Sequence, residues 1–144
     1  MPIFNNKASF PITGGRPYVM VKIMGGDGKW HDVNMMLDSG NDITLLTKDT
    51  AKAIQMDPKT DGDLFRVAGI NGTPDMFFMF TGQMQIGGMS PISTKIGIGP
   101  LRDNLLGRND IFKRYSILFT PNSVHFIENK EGKNQKLNID ELGG

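Results

Sequence analysis

The sequence predicts an all-β domain with one or two short helices, and three observations predict it. Short runs of β-branched, aromatic and other apolar residues recur along the chain, separated by glycine, proline and asparagine turns. One of them, Val33-Asn34-Met35-Met36-Leu37, ends in Asp38-Ser39-Gly40, and an apolar run resumes at Ile43-Thr44-Leu45-Leu46. That pattern puts a carboxylate at a strand-to-loop turn, where Gly40 permits positive φ and close backbone approach. Met76-Phe77-Phe78-Met79-Phe80 is an unbroken apolar run, which fits a strand buried on both faces because a surface strand would alternate. One face of that strand is also a candidate lining for a groove or a subunit contact.

Taken in order, Pro2 to Phe10 reads as an extended arm. Tyr18-Val19-Met20-Val21-Lys22-Ile23 is a strand that turns through Gly25-Gly26-Asp27-Gly28 into Trp30 through Leu37, a hairpin feeding the acid. Thr47 through Met56 predicts a short helix, with Thr47 as N-cap, Asp49 in the first turn, and Ala53, Ile54 and Met56 available for packing. Asp57 to Asp63 is a polar loop. Phe65 through Pro74 is a hairpin whose tip, Gly69-Ile70-Asn71-Gly72, exposes an apolar residue between glycines and so asks for a ligand to cover it. Gln83 to Ile86, Ile92 to Ile98, Tyr115 to Phe119 and Val124 to Ile127 are further strands. Between them, Asn104-Leu105-Leu106-Gly107-Arg108-Asn109-Asp110-Ile111-Phe112 predicts a strand end, a tight glycine and a second short helix. Residues 1–129 are expected to form the domain and Lys130 to Gly144 a polar, loose tail.

Composition narrows the function classes. A chain of 144 residues buries about two-thirds of its unfolded surface, enough for one core without a staple. A net charge of +1 with 22% charged residues gives no massed basic face, against nucleic-acid binding. There is no cysteine, which removes disulfides, thiolate metal sites and thiol nucleophiles. His31 and His125 each stand alone in strand-like runs, so no metal site and no cofactor is expected, and the ten methionines read as adaptable core filler. Lys95-Ile96-Gly97-Ile98-Gly99 lacks the Lys-Ser/Thr ending of a phosphate loop. No apolar stretch approaches the ~20 residues that span a bilayer, and no export signal is visible, so a soluble chain without membrane partners is expected.

Three elements together resemble the retropepsin-like aspartic proteases: the loop Leu37-Asp38-Ser39-Gly40-Asn41, the hairpin tip Gly69-Ile70-Asn71-Gly72, and Leu105-Leu106-Gly107-Arg108-Asn109. The resemblance runs from about Arg16 to Glu128. Gly107-Arg108-Asn109 is similar to retroviral members, whereas Leu105-Leu106-Gly107 followed by Phe112-Lys113-Arg114 also resembles the retropepsin-like domain of DNA-damage-inducible ubiquitin-shuttle proteins. Both origins stay open, with an intracellular or virus-associated location implied by either.

The resemblance implies a closed β-barrel, one lobe per chain, and an endopeptidase. Peptide hydrolysis by this chemistry needs two carboxylates sharing a proton, one taking a proton from water while the other donates to the scissile carbonyl. With a single Asp-Ser-Gly in the chain, the site is expected on a homodimer axis, Asp38 facing its symmetry mate, and a monomer should be inert. Two close carboxylates titrate in separate steps, so activity should peak below neutrality. The family pattern makes Asp38, Ser39 and Gly40 the catalytic triplet, with Ser39 bracing the two loops. It makes Asn41, Asp42 and the flap residues Gly69, Ile70, Asn71 and Gly72 substrate-binding, with Ile70 as pocket lid. Thr44, Gly107, Arg108 and Asn109 are supports: Asp42 with Arg108 as a salt bridge, Thr44 with Asn109 as a hydrogen-bonded buttress. Asn41 departs from the alanine usual after the glycine, which leaves a second reading: a retropepsin-fold dimerisation or peptide-binding module with little or no turnover. The implied substrate is an extended peptide with apolar residues flanking the cut, the chain's own polyprotein among the candidates. Serine hydrolysis through Ser39 is disfavoured, because no glycine-flanked serine elbow and no motif-placed histidine accompany it.

Overall fold

The computed structural model describes residues 3–57, 63–68 and 74–129. Ten strands and one short helix occur among them: β1 (Lys7–Pro11), β2 (Tyr18–Met24), β3 (Trp30–Leu37), β4 (Thr44–Thr47), α1 (Lys48–Ala53), β5 (Asp63–Ala68), β6 (Pro74–Ile86), β7 (Ile92–Gly99), β8 (Leu105–Leu106), β9 (Tyr115–Phe119) and β10 (Ser123–Glu128). The expected tail, 130–144, and the hairpin tip, 69–72, lie outside the described residues.

Seven strands form one sheet in the order β2-β3-β8-β4-β7-β6-β5, and β6 pairs again with β2, so the pairings run in a ring through six of them. Most pairs are antiparallel; β3 with β8 and β4 with β7 are parallel. β8, two residues long, is inserted between β3 and β4, pairing Leu37 with Leu106 on one side and Leu45 with Leu105 on the other. The segments read separately as Met76 to Phe80 and Gln83 to Ile86 are one continuous strand, β6, which pairs with β5, β7 and β2 along its length.

Alternation along these strands divides the apolar residues between two clusters. The main core gathers Val19, Val21, Ile23, Val33, Met35, Leu46, Phe80, Met84, Ile96 and Leu106. Leu45, Phe77 and Met79 project to the other face and form a smaller cluster, against which Ile43, Leu101 and Leu105 are only partly buried. Two-faced burial is found from Phe77 to Phe80, the part of the expected run whose side chains are described: Phe77 and Met79 serve one cluster and Phe80 the other.

The later part of the expected arm, from Lys7, is strand β1, and it pairs with β10 of its own chain in a three-stranded sheet, β1-β10-β9. That sheet is fastened to the core by Phe126, which is fully buried and meets the Phe10 and Tyr115 rings edge-on at centroid distances of 5.8 and 6.1 Å.

The helix begins as expected, with Thr47 Oγ1 accepting the Thr50 amide at 3.1 Å and Asp49 in the first turn. It stops at Ala53, short of the expected Met56. Gln55 has φ 60, and the amides of Gln55 and Met56 return to the carbonyls of Lys52 and Ala51, a Schellman ending. The β2–β3 turn abuts this ending. A Cβ on Gly26 would lie 1.8 Å from the Gln55 carbonyl oxygen, so only glycine admits the contact, and Gly26 N–H donates to Ile54 O. The second expected helix, after Gly107, is absent: residues 109–114 form successive turns. Asp110 has φ 66, in the left-handed region, which no right-handed helix accommodates.

Burial pushes the Tyr115 phenol up to about 12, helped by the nearby Glu128 charge and partly offset by Arg114. The folded chain thus holds this proton above the ordinary value of 10.0, and the stability it confers is complete below that pH and lost as pH rises toward 12. Urea midpoints measured across that alkaline range should fall in the wild type and fall less steeply in Tyr115→Phe.

Candidate active site

Asp38 follows the last residue of β3, and its position is set by backbone bonds on both sides. Leu37 N–H donates to Pro17 O at 2.9 Å, and Asp38 N–H donates to Leu106 O at 3.0 Å, which carries the β3–β8 pairing one step past the strand. The loop then folds on itself, Asn41 N–H donating to Asp38 O at 3.2 Å and Gly40 N–H to the carboxylate oxygen Oδ1 of Asp38 at 3.0 Å. Asp38 is half-buried, while Ser39 and Gly40 are exposed. A carboxylate already held by its own loop thus sits half-buried beside the exposed Ser39 and Gly40.

Gly40 does not use the positive φ that glycine permits; among the described residues the positive-φ glycines are Gly14, Gly15, Gly28 and Gly87. Within one chain its hydrogen replaces a Cβ that would meet only Asp38 Oδ1, at 3.3 Å. Its smallness therefore keeps the carboxylate uncrowded.

The second element, Gly107 to Asn109, holds the loop from the side. Arg108 N–H donates to Asn41 O at 2.9 Å, Asn109 N–H to Asp42 O at 2.8 Å, and the Arg108 guanidinium pairs with the Asp42 carboxylate. The Asp42–Arg108 pair is therefore formed as expected, with both side chains about half exposed (60% and 50%), so its net contribution is at most about 1 kcal/mol. The Thr44 buttress takes a different partner. Buried Thr44 Oγ1 accepts from Gly107 N–H at 3.1 Å, and Asn109 contributes its backbone amide instead of its side chain. Asn41 takes part through main-chain groups, its N–H and its C=O, so asparagine in place of alanine leaves these loop bonds intact.

Gly107 is the tightest point of this loop contact. A Cβ there would lie 2.4 Å from the carbonyl carbon and oxygen of Ile43 and 2.8 Å from Thr44 N, all backbone. Two further residues shape the site without having been singled out from sequence. Asn104 bridges the gap that β8 enters, its Oδ1 accepting Thr47 N–H at 2.9 Å and its Nδ2 donating to Asn34 O at 3.3 Å. Asp110 Oδ2 accepts the hydroxyl of buried Thr94 at 3.0 Å. The second apolar cluster adjoins this region through Ile43, from the loop, and Leu105, beside Gly107.

Both histidines are engaged elsewhere. His31 Nε2 meets the Asp27 carboxylate at 2.9 Å, which holds the Asp27 pKa below the ordinary carboxylate value, and His125 Nδ1 meets Ser9 Oγ at 2.7 Å. Neither activates Ser39. Among the described residues no group of three His, Cys, Asp or Glu side chains is placed to hold a metal, and no helix is long and apolar enough to cross a membrane. A cavity of about 410 Å³ beside α1, lined by Ala51, Met56, Phe78 and Ile98 among others, does not include Asp38.

An acid just past the end of β3, a loop amide bonded to its carboxylate and a glycine turn bonded to that loop are the features of an aspartic-protease lobe. Residues 19–109 match the family model described as aspartyl protease, and the chain belongs to that family. Among solved structures, a retropepsin-like aspartic protease from Rickettsia conorii superimposes with a TM-score of 0.64, covering 83% of this chain and 89% of that one at 17% identity, which establishes a retropepsin-like fold. No curated protein matches the chain.

Gly107→Ala should destabilise the fold by about 3 kcal/mol or more, because the new methyl meets immovable backbone. Asp42→Asn should cost about 1 kcal/mol or less. Chemical denaturation of the two variants checks the ranking; a cost for Asp42→Asn equal to that of Gly107→Ala would mean that the ion pair holds the loop as firmly as the glycine contact does.

Proposed function

We propose that this protein is an aspartic endopeptidase that acts as a homodimer, with Asp38 of each chain forming the catalytic pair and the ring of strands closing as the barrel of one lobe. The observation that carries this reading is the half-buried Asp38 carboxylate, oriented by Gly40 N–H on a loop pinned to the Gly107–Asn109 element, in a chain with no second such loop. One carboxylate removes a proton from water as the other, protonated, donates to the scissile carbonyl. Carboxylates brought that close share one proton, which places activity below neutrality. Ser39, exposed and without a base, braces the paired loops. Gly40, Asn41 and Asp42 line the entry to the groove, and residues 69–72 close over the peptide.

The substrate is an extended segment of protein with large apolar residues beside the cut. The partly buried Ile43, Leu101 and Leu105, backed by Leu45, Phe77 and Met79, supply an apolar surface next to the loop to receive them.

The test is cleavage of a mixed peptide library from pH 4 to 7 by the wild type and by Asp38→Asn, with cut sites read by mass spectrometry. The expected result is cleavage beside apolar residues that vanishes in the variant and under a statine-type transition-state mimic. Cleavage chiefly beside charged residues would contradict the substrate reading. A demonstrably dimeric chain that binds peptides without cutting them would contradict the enzymatic reading in favour of a peptide-binding module.

A further inference from the structure

Among the described residues two polar side chains are buried, Thr44 at 1% and Thr94 at 2% exposure, and both hydroxyls are directed to the same short loop. Thr44 takes the Gly107 amide at its start, and Thr94, from β7, donates to Asp110 Oδ2 at its end. Asp110 is also one of two non-glycine residues with positive φ among the described residues, at 66°. An aspartate tolerates that region better than most residues, yet the conformation is uncommon and persists where the surroundings fix it. A hydroxyl donating to the carboxylate is such a fixture, and a charged acceptor makes it one of the stronger hydrogen bonds available.

The two residues between these anchors carry the bonds that matter for Asp38. Arg108 and Asn109 donate their amides to Asn41 and Asp42, and Asn41 N–H in turn donates to Asp38 O. An unbroken chain of contacts therefore leads from β7 to the acid.

We propose that Thr94 and Asp110 are a positioning pair for the Asp38 loop: by fixing Asp110 in its left-handed conformation they hold the Arg108 and Asn109 amides against Asn41 and Asp42. Neither touches the reacting atoms. The consequence for catalysis rests on the protease reading above, whereas the consequence for the loop does not.

The experiment compares wild type, Thr94→Val, which lacks the donor, and Thr94→Ser, which retains it. Amide hydrogen exchange by NMR should show Arg108 and Asn109 exchanging about tenfold faster in Thr94→Val, as expected for one lost hydrogen bond to a charged group. The Val21 and Met35 amides should be unchanged, and Thr94→Ser should recover wild-type protection. In peptide cleavage, kcat should fall about tenfold in Thr94→Val with KM within about twofold, and recover in Thr94→Ser. Unchanged exchange at Arg108 and Asn109 would overturn the proposal, as would equal acceleration across all strands, which marks general destabilisation. A wild type that cleaves no peptide overturns the protease reading alone, and the exchange pattern then decides the pair.

Discussion

The structure depends on one contact: Gly107 against the backbone of Ile43. β3 and β4 flank the Asp38 loop yet do not pair with each other; β8 lies between them, and Gly107 follows its last residue. Because a Cβ at Gly107 would sit 2.4 Å from the Ile43 carbonyl, glycine is what lets the chain pass there. Once it does, the Gly107 amide reaches Thr44, the next two amides reach Asn41 and Asp42, and Leu106 O takes the Asp38 amide. The position of the acid's loop follows first from how closely two backbones approach, and the Thr44 and Thr94 hydroxyls anchor the two ends of the supporting segment.

This arrangement explains why the ion pair visible in the site does little to hold it. Asp42 and Arg108 are half exposed, so water and salt screen their attraction. The backbone bonds beside them run between elements already fixed by the core, where Leu37, Leu46 and Leu106 are buried. Catalytic-type loops are held most firmly when the supporting atoms have no rotamers of their own to lose. The second apolar cluster has a different character: its inner members are buried and its outer ones, Ile43, Leu101 and Leu105, remain partly open, as a surface awaiting an apolar partner would be.

Much of this was legible in the sequence, and what was not has identifiable physical causes. The β2–β3 hairpin, the Thr47 cap and the Asp38 loop follow from local pattern: alternation, a capping hydroxyl and turn residues each act within a few positions. The helix expected after Gly107 failed because residue type does not encode the φ of Asp110, which is set by its bond to Thr94, sixteen residues away. The Thr44–Asn109 buttress came from the family resemblance, and in this chain the Thr44 hydroxyl accepts the Gly107 amide instead. Thr94 itself had a signal. In Ile92-Ser93-Thr94-Lys95-Ile96 it shares the inward phase of the two isoleucines, and a hydroxyl on a buried face must find a partner. Asn104 had none, because its role depends on β8 entering between two strands, a non-local event that no short window contains.

One Asp-Ser-Gly loop per chain, with Asp38 half-buried beside exposed Ser39 and Gly40, supplies one of the two carboxylates that the proposed chemistry needs. If the reactive site consists of two such loops, peptide hydrolysis must depend on two chains meeting. The most direct measurement is initial cleavage rate against total protein concentration, with sedimentation run on the same dilution series. The account predicts a rate that rises with the square of concentration while monomer predominates and becomes linear once the dimer does. A rate linear in concentration throughout the monomeric range would contradict it.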